Sequence, residues 1–273
     1  NYYSQEANLA YMSVSQFKAF DRCPAAALAE LRKDPGAAAY GRLEWELANV
    51  RDEDWANNWK AYFKPFPVGE SLVIKPTWEE WDKEDGRIIL EIDPGSSFGT
   101  GQHHTTRLCL ELLESYTQPG DRILDLGCGS GILFIAALLL GAEKAWAADI
   151  EEHSARAAAE NAAQNGIASP RYTTAAGDII SDESFRRSLG WGEKSYDLVC
   201  ANIVADVILG MAPYFNGYLK DGGTLLVSGI IDDRLAETRQ ALEDQGFRLI
   251  KGLNSADWNA MAFQKKEVEE NEA

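Results

Sequence analysis

The chain has 273 residues, 45% of them hydrophobic and 10% aromatic, enough for one large domain with its own core and a smaller second one. Its 26 Lys and Arg stand against 43 Asp and Glu, a formal net charge of -17, so a bare phosphate backbone is repelled: no direct nucleic-acid contact is expected, and a basic protein partner suits the surface better. Cys23, Cys109, Cys128 and Cys200 have neither disulfide-framework nor metal-ligand spacing, and the longest apolar run, 132–140, is too short to cross a bilayer; a soluble, monomeric, metal-free protein of a reducing cytoplasm is expected, with no membrane association.

In chain order, residues 8–14 read as a strand, Ser15 caps a helical stretch through Leu31, Pro35-Gly36 breaks it, and 43–50 alternates again. This β-α-β fragment is too small to be stable alone; residues 1–50 are read as part of a small α+β domain or as a piece docked on something else. Residues 51–82 hold Trp55, Trp59, Tyr62, Phe63, Phe66, Trp78 and Trp81 with Pro65, Pro67 and Pro76, a composition for a packed, semi-rigid connector rather than a flexible linker.

From 83 to 265 the texture changes to strands at 88–92, 122–126, 144–149, 171–175, 196–202, 224–228, 247–253 and 259–264, with helical stretches at 104–116, 130–140, 152–165, 204–219 and 233–245. Such alternation predicts an α/β, mostly parallel sheet covered on both faces, with ligands at the carboxyl ends of its strands. The last two strands have no helix between them and are expected as an antiparallel pair at one edge. The acidic end, 266–273, is expected to be disordered.

The chemistry concentrates in Ile123-Leu124-Asp125-Leu126-Gly127-Cys128-Gly129-Ser130-Gly131, a buried strand turning through glycines into a helix. Glycines there let a backbone approach a ligand without Cβ atoms in the way. A dinucleotide turn needs its third glycine at the sixth position, where Ile132 stands, and Asp125 would oppose a pyrophosphate. The same carboxylate suits a methionine ammonium, so the turn points to S-adenosylmethionine, whose aminoacyl end and sulfonium are cationic. Asp149, 18 residues past Gly131, ends the next strand and can accept from both hydroxyls of a ribose, or else cap a helix. Asp178, after the strand at 171–175, is either near the adenine amine or a plain turn residue.

A second loop, Asp93-Pro94-Gly95-Ser96-Ser97-Phe98-Gly99-Thr100-Gly101-Gln102-His103-His104-Thr105-Thr106-Arg107, is richer in glycine, histidine and hydroxyls than a helix start capped by Thr105 or Thr106 requires. With Leu124–Ile132, Ala201-Asn202-Ile203, Asp54-Trp55-Ala56 and Trp59-Lys60, it makes the last 220 or so residues strongly resemble the ribosomal protein L-eleven methyltransferase family, PrmA. That resemblance implies a seven-stranded, Rossmann-like class I methyltransferase sheet behind a small recognition domain, and cofactor contacts at Thr106, Gly127, Asp149 and Asn202; Asp125 and Gly129 join them from the turn itself. It implies methyl transfer to lysine side chains or the N-terminal amine of a large-subunit ribosomal protein. Two departures stand out: His104 occupies a place where the family usually has proline, and the N-terminal module looks short by an opening strand and helix.

Methyl transfer to an amine needs alignment, exclusion of water and loss of a proton from a group with a pKa of about 10.4 in free lysine. His103 is the candidate to accept or relay that proton, with a structural role in the loop as the alternative; His153 reads as a surface residue. Asn202 ends the strand at 196–202 and is followed by Ile203 and Val204 instead of the prolines of the usual amine signature, yet its carbonyl can accept from a target amine or from the cofactor. The competing readings are a methyltransferase of this fold acting on another protein or a small molecule, a catalytically silent binding module, and a nicotinamide oxidoreductase, the last disfavoured by glycine spacing.

Overall fold

The computed structural model describes residues 2–4, 9–11, 63–82, 85–93 and 101–266. The chain divides into two units, 1–60 and 61–273. In the first, β1 (Tyr2–Ser4) pairs antiparallel with β2 (Leu9–Tyr11). The helix expected over 15–31 and the strand over 43–50 lie outside the described residues. The stretch 51–82 read as a connector straddles the division between the units, and its described part carries two strands of the second unit.

Those strands, β3 (Phe66–Val68) and β4 (Leu72–Lys75), form a three-stranded sheet with β5 (Ile88–Glu91), in which β3 and β4 are antiparallel and β4 and β5 parallel. Residues 88–92 therefore belong to this small sheet, not to the main one; their alternation announces a strand but carries no information about its neighbour.

The main sheet holds β6 (Arg122–Leu126), β7 (Lys144–Asp149), β8 (Tyr172–Ala176), β9 (Tyr196–Asn202), β10 (Leu219–Ile231), β11 (Phe247–Ser255) and β12 (Trp258–Lys265) in the order β11-β12-β10-β9-β6-β7-β8. All pairings among β6 to β10 are parallel, while β12 runs antiparallel to both β10 and β11. This is the expected Rossmann-like class I methyltransferase sheet. The antiparallel pair is present, but β12 inserts between β10 and β11, so the edge strand is β11. The order starts at β6 and winds outward in both directions, leaving a switch point between β6 and β9 where ligands gather.

Six α-helices accompany these strands among the described residues: α1 (His104–Tyr116), α2 (Ile132–Leu139), α3 (Glu152–Gln164), α4 (Glu183–Ser188), α5 (Ala205–Tyr218) and α6 (Asp232–Asp244). α1 buries Leu108, Cys109, Leu112 and Leu113 on one side, the spacing that a 3.6-residue period requires. α2 has buried side chains from Ile132 to Leu138, because it is enclosed by the sheet, α1 and α3. Short, polar α4 lacks a periodic apolar stripe, and only its cap, Asp182 accepting from Phe185 N–H at 3.0 Å, marks it in the sequence.

The small sheet is fastened to α1. The Glu114 carboxylate accepts from the backbone N–H groups of Glu70 and Ser71 in the β3–β4 turn, and the Arg107 guanidinium lies 4.5 Å from the Phe66 ring centroid, within cation–π range. The carboxyl ends of both sheets thus border the start of α1.

Candidate active site

The glycine turn leaves β6 and opens α2. Gly127, Gly129 and Gly131 have φ of 75°, 51° and 84°, a region costly for residues with a Cβ. The close approach of neighbours reinforces the requirement. A Cβ on Gly127 would collide with the Ile203 side chain, and one on Gly131 would come 2.6 Å from Phe134 and 3.0 Å from the Ala158 Cβ. Gly127 and Cys128 donate to the Ala148 carbonyl at 2.8 and 3.1 Å, which ties the turn to β7.

Two carboxylates flank this turn in different environments. Asp149, at the end of β7, accepts from Gly129 N–H at 2.9 Å and from Glu151 N–H at 3.0 Å. Asp125 is fully buried; its Oδ2 accepts from Phe134 N–H at 3.2 Å, while Oδ1 has no hydrogen-bond partner. Gly131 offers no side chain to cap α2, so Asp125 reaches from the strand to satisfy one of the helix's free N–H groups. Burial raises its pKa to about 7, against the lowering effect of the Phe134 hydrogen bond, with the Asp149 charge raising it further. Cys109, Cys128 and Cys200 are buried free thiols pushed up by the same desolvation and by the Asp125 charge. Neutral thiols beside an acid are poor nucleophiles.

The first turn of α1 closes the site from the side of β9 and β10. The cap is His103, not Thr105 or Thr106: Thr105 N–H donates to His103 Nδ1 at 3.4 Å, and the Thr105 hydroxyl lies 2.8 Å from the same nitrogen. With Nδ1 accepting from the Thr105 N–H, the neutral ring carries its hydrogen on Nε2. Burial and neighbouring His104 both lower its pKa, which favours the neutral ring. The ring packs edge-on against Trp258, with centroids 5.0 Å apart. Asn202 Nδ2 donates to the fully buried Thr106 hydroxyl at 3.3 Å, and the Ser228 hydroxyl donates to the Thr105 carbonyl at 2.9 Å. Asn202 and Ser228 are register partners on β9 and β10, so adjacent strand ends grip one helix start. Gly229 makes this possible: at φ 88°, its missing Cβ leaves room for the Ile203 backbone.

His103, Thr106, Asp125, Gly127, Gly129, Asp149 and Asn202 thus fall at the carboxyl ends of β6, β7 and β9 and the facing start of α1. Asp178 is spent on its own turn, accepting from Ile180 N–H at 2.8 Å and from the Ser181 N–H and hydroxyl. Those bonds hold its carboxyl below the usual range. His153 lies exposed beside Glu151, 3.8 Å away. Residues 94–100 of the second loop, and the aromatic motifs at 54–60, lie outside the described residues. Trp258, Ser228 and Asn161 were not anticipated; Asn161 alone left a trace, an amide in the middle of an alanine-rich helix.

The model of one family, ribosomal protein L11 methyltransferase (PrmA), matches residues 3–266, which extends the likeness beyond the last 220 residues. The chain belongs to that family. Two relatives of that description, from Caldanaerobacter subterraneus and Pelotomaculum thermopropionicum, are 38% identical over 226 residues and 41% identical over 242 residues. The matches cover 83% and 89% of this chain and 69% and 73% of the relatives. A crystal structure of a ribosomal protein L11 methylase from Lactobacillus delbrueckii is 31% identical with a TM-score of 0.66, covering 75% of this chain and all of that one. A protein solved in complex with SAH, 12% identical with a TM-score of 0.51, shares the fold alone. As a member of the family, the chain is an S-adenosylmethionine-dependent protein methyltransferase. Its residues fit that cofactor: Asp125 keeps an unpartnered buried oxygen beneath the turn, and Asp149 stands one strand over. Among the described residues, no helix is long and apolar enough to cross a membrane, and no cluster could hold a metal ion.

Proposed function

We propose that this enzyme methylates amino groups of ribosomal protein L11, on lysine side chains or the N-terminal amine, in the cytoplasm. The observation that carries this reading is the match to the Lactobacillus L11 methylase over 75% of this chain and all of that one, together with a site built from the residues that the family resemblance singles out. The net charge of -17 favours a basic protein over bare nucleic acid as the partner.

S-adenosylmethionine supplies an activated methyl group on sulfur, and this chain's residues provide position, dryness and charge. Gly127 and Gly129 would present backbone to the cofactor, Asp149 would accept from its ribose, and Asp125 would balance its cationic end. Asn202 is held by its amide nitrogen on Thr106, which leaves the carbonyl oxygen to accept from the incoming amine and orient its lone pair toward the methyl group. His103 serves the same end by holding α1: with its hydrogen on Nε2 and Nδ1 engaged, the ring positions Thr105 and Thr106 instead of taking the substrate proton, which passes to solvent before the neutral amine is enclosed.

Purified enzyme, S-adenosylmethionine and separated large-subunit ribosomal proteins should yield mass increments of 14 Da per methyl on L11 and on no other. Label appearing only on another protein or on a small molecule would replace L11 as the substrate. The role of His103 is tested separately by two variants. His103→Ala should destabilise the fold by about 1 kcal/mol, the usual value of a cap, and lower turnover; His103→Asn should restore both, because asparagine caps without a titratable ring. An inactive but fully stable His103→Asn enzyme would assign the proton to the imidazole.

A further inference from the structure

We propose that Asn161 is a positioning residue for the cofactor turn, holding its Ser130 peptide at a fixed angle. Asn161 lies on α3, is 3% exposed and touches two backbones. Its Nδ2 donates to the Ser130 carbonyl at 2.8 Å, and its Oδ1 accepts from Asp93 N–H at 3.3 Å. One carbonyl and one N–H are what a planar carboxamide can serve together and a carboxylate or hydrocarbon cannot. The turn is therefore held from two sides, by Asp149 at the Gly129 N–H and by Asn161 at the Ser130 carbonyl. No side chain separates α3 from the turn, since a Cβ on Gly131 would already press on Ala158.

The second bond extends the brace. Asp93 follows β5, and its carboxylate accepts from the Thr77 N–H and hydroxyl at 3.1 and 2.8 Å. A chain of contacts thus runs from Thr77 through Asp93 and Asn161 to Ser130, setting the end of the small sheet against the turn of the large one. Asn165, one helical turn further on, also joins α3 to the small sheet: it accepts from Glu91 N–H at 2.8 Å and donates to the Glu91 carbonyl at 2.7 Å. It has no bond to the turn, which makes it the natural control.

The inference rests on the reading of the turn as the cofactor seat, and binding of S-adenosylhomocysteine to the unmodified protein, measured by calorimetry, checks that reading first. Asn161→Leu and Asn161→Asp should then weaken S-adenosylhomocysteine about five- to thirty-fold, the range for loss of one or two such interactions, and raise KM for S-adenosylmethionine in step while kcat changes less. Asn165→Ala should lower the melting temperature with affinity kept within about twofold. Asn161 variants that melt early yet bind as the unmodified protein does, or an Asn165→Ala variant that loses affinity equally, would overturn the proposal. Should Asn161→Leu not fold, Asn161→Asp decides, since it keeps the acceptor for Asp93 and replaces the donor to Ser130 with an acceptor. An unmodified protein that binds no S-adenosylhomocysteine overturns the reading of the turn and this proposal with it.

Discussion

Asp125 carries a conflict that its neighbours do not resolve. Burial favours its neutral form, whereas the N–H of Phe134 and a cationic ligand favour the carboxylate. With a folded pKa raised to about 7, it contributes stability below the ordinary carboxylate range that fades as pH rises through 7, because the unfolded chain gives up its proton first. Binding of a cation should reverse that preference. S-adenosylhomocysteine, which keeps the ammonium, should bind more tightly as pH rises from 6 to 8 and release a proton near pH 7, seen as a dependence of calorimetric heat on the buffer's ionisation enthalpy. Asp125→Asn should abolish the release; release that persists in this variant would place the titrating group elsewhere. The role of Asp125 as a stand-in cap for α2 was not legible in the sequence, because Phe134 is nine residues away and only the turn of the backbone brings its N–H underneath.

At the scale of elements, the glycine turn and α2 behave as one unit. Gly131 is both left-handed and crowded, whereas Gly166, at φ 69°, has nothing within 4 Å of an added Cβ. Gly166→Ala should therefore cost only the backbone penalty of about 1–2 kcal/mol. Gly131→Ala should cost at least twice that and abolish cofactor binding, by chemical denaturation and calorimetry; equal effects would show that crowding at Phe134 and Ala158 relaxes freely. Most elements were readable from periodicity, with α1, α3 and α5 within a residue or so of their expected spans. β10 was underestimated because Asp221-Gly222-Gly223 reads as a turn, and its pairing with β9 does shift register between Leu219 and Thr224. The paired strand resumes at Thr224, where alternation returns.

For the whole molecule, charge is the dominant feature. A chain with a net charge of -17 should attract a basic substrate over distances that salt shortens, from about 10 Å at 0.1 M to about 3 Å at 1 M. The kcat/KM for L11 should fall by about tenfold or more between low and high salt while kcat stays near constant. A flat salt profile would mean that short-range contacts alone select the substrate. The chemistry needs only neutral amine and sulfonium aligned, so its rate should be far less sensitive to ionic strength than encounter.

The order of residues alone determined the class of sheet, the glycine turn with Asp125, Gly127 and Gly129, and the place of a second carboxylate at Asp149, since each rests on spacing within one strand–turn–helix segment or its successor. Tertiary structure decided which neighbours those segments meet: 88–92 in the small sheet, β12 inside the edge strand, Asp178 folded onto its own turn, His103 as a cap, and Asn161 clamped between Ser130 and Asp93. The reason is physical. Periodicity and turn chemistry are local, acting over a few residues, whereas a hydrogen bond spanning 31 residues, as from Asn161 to Ser130, exists only once packing has brought the two backbones together.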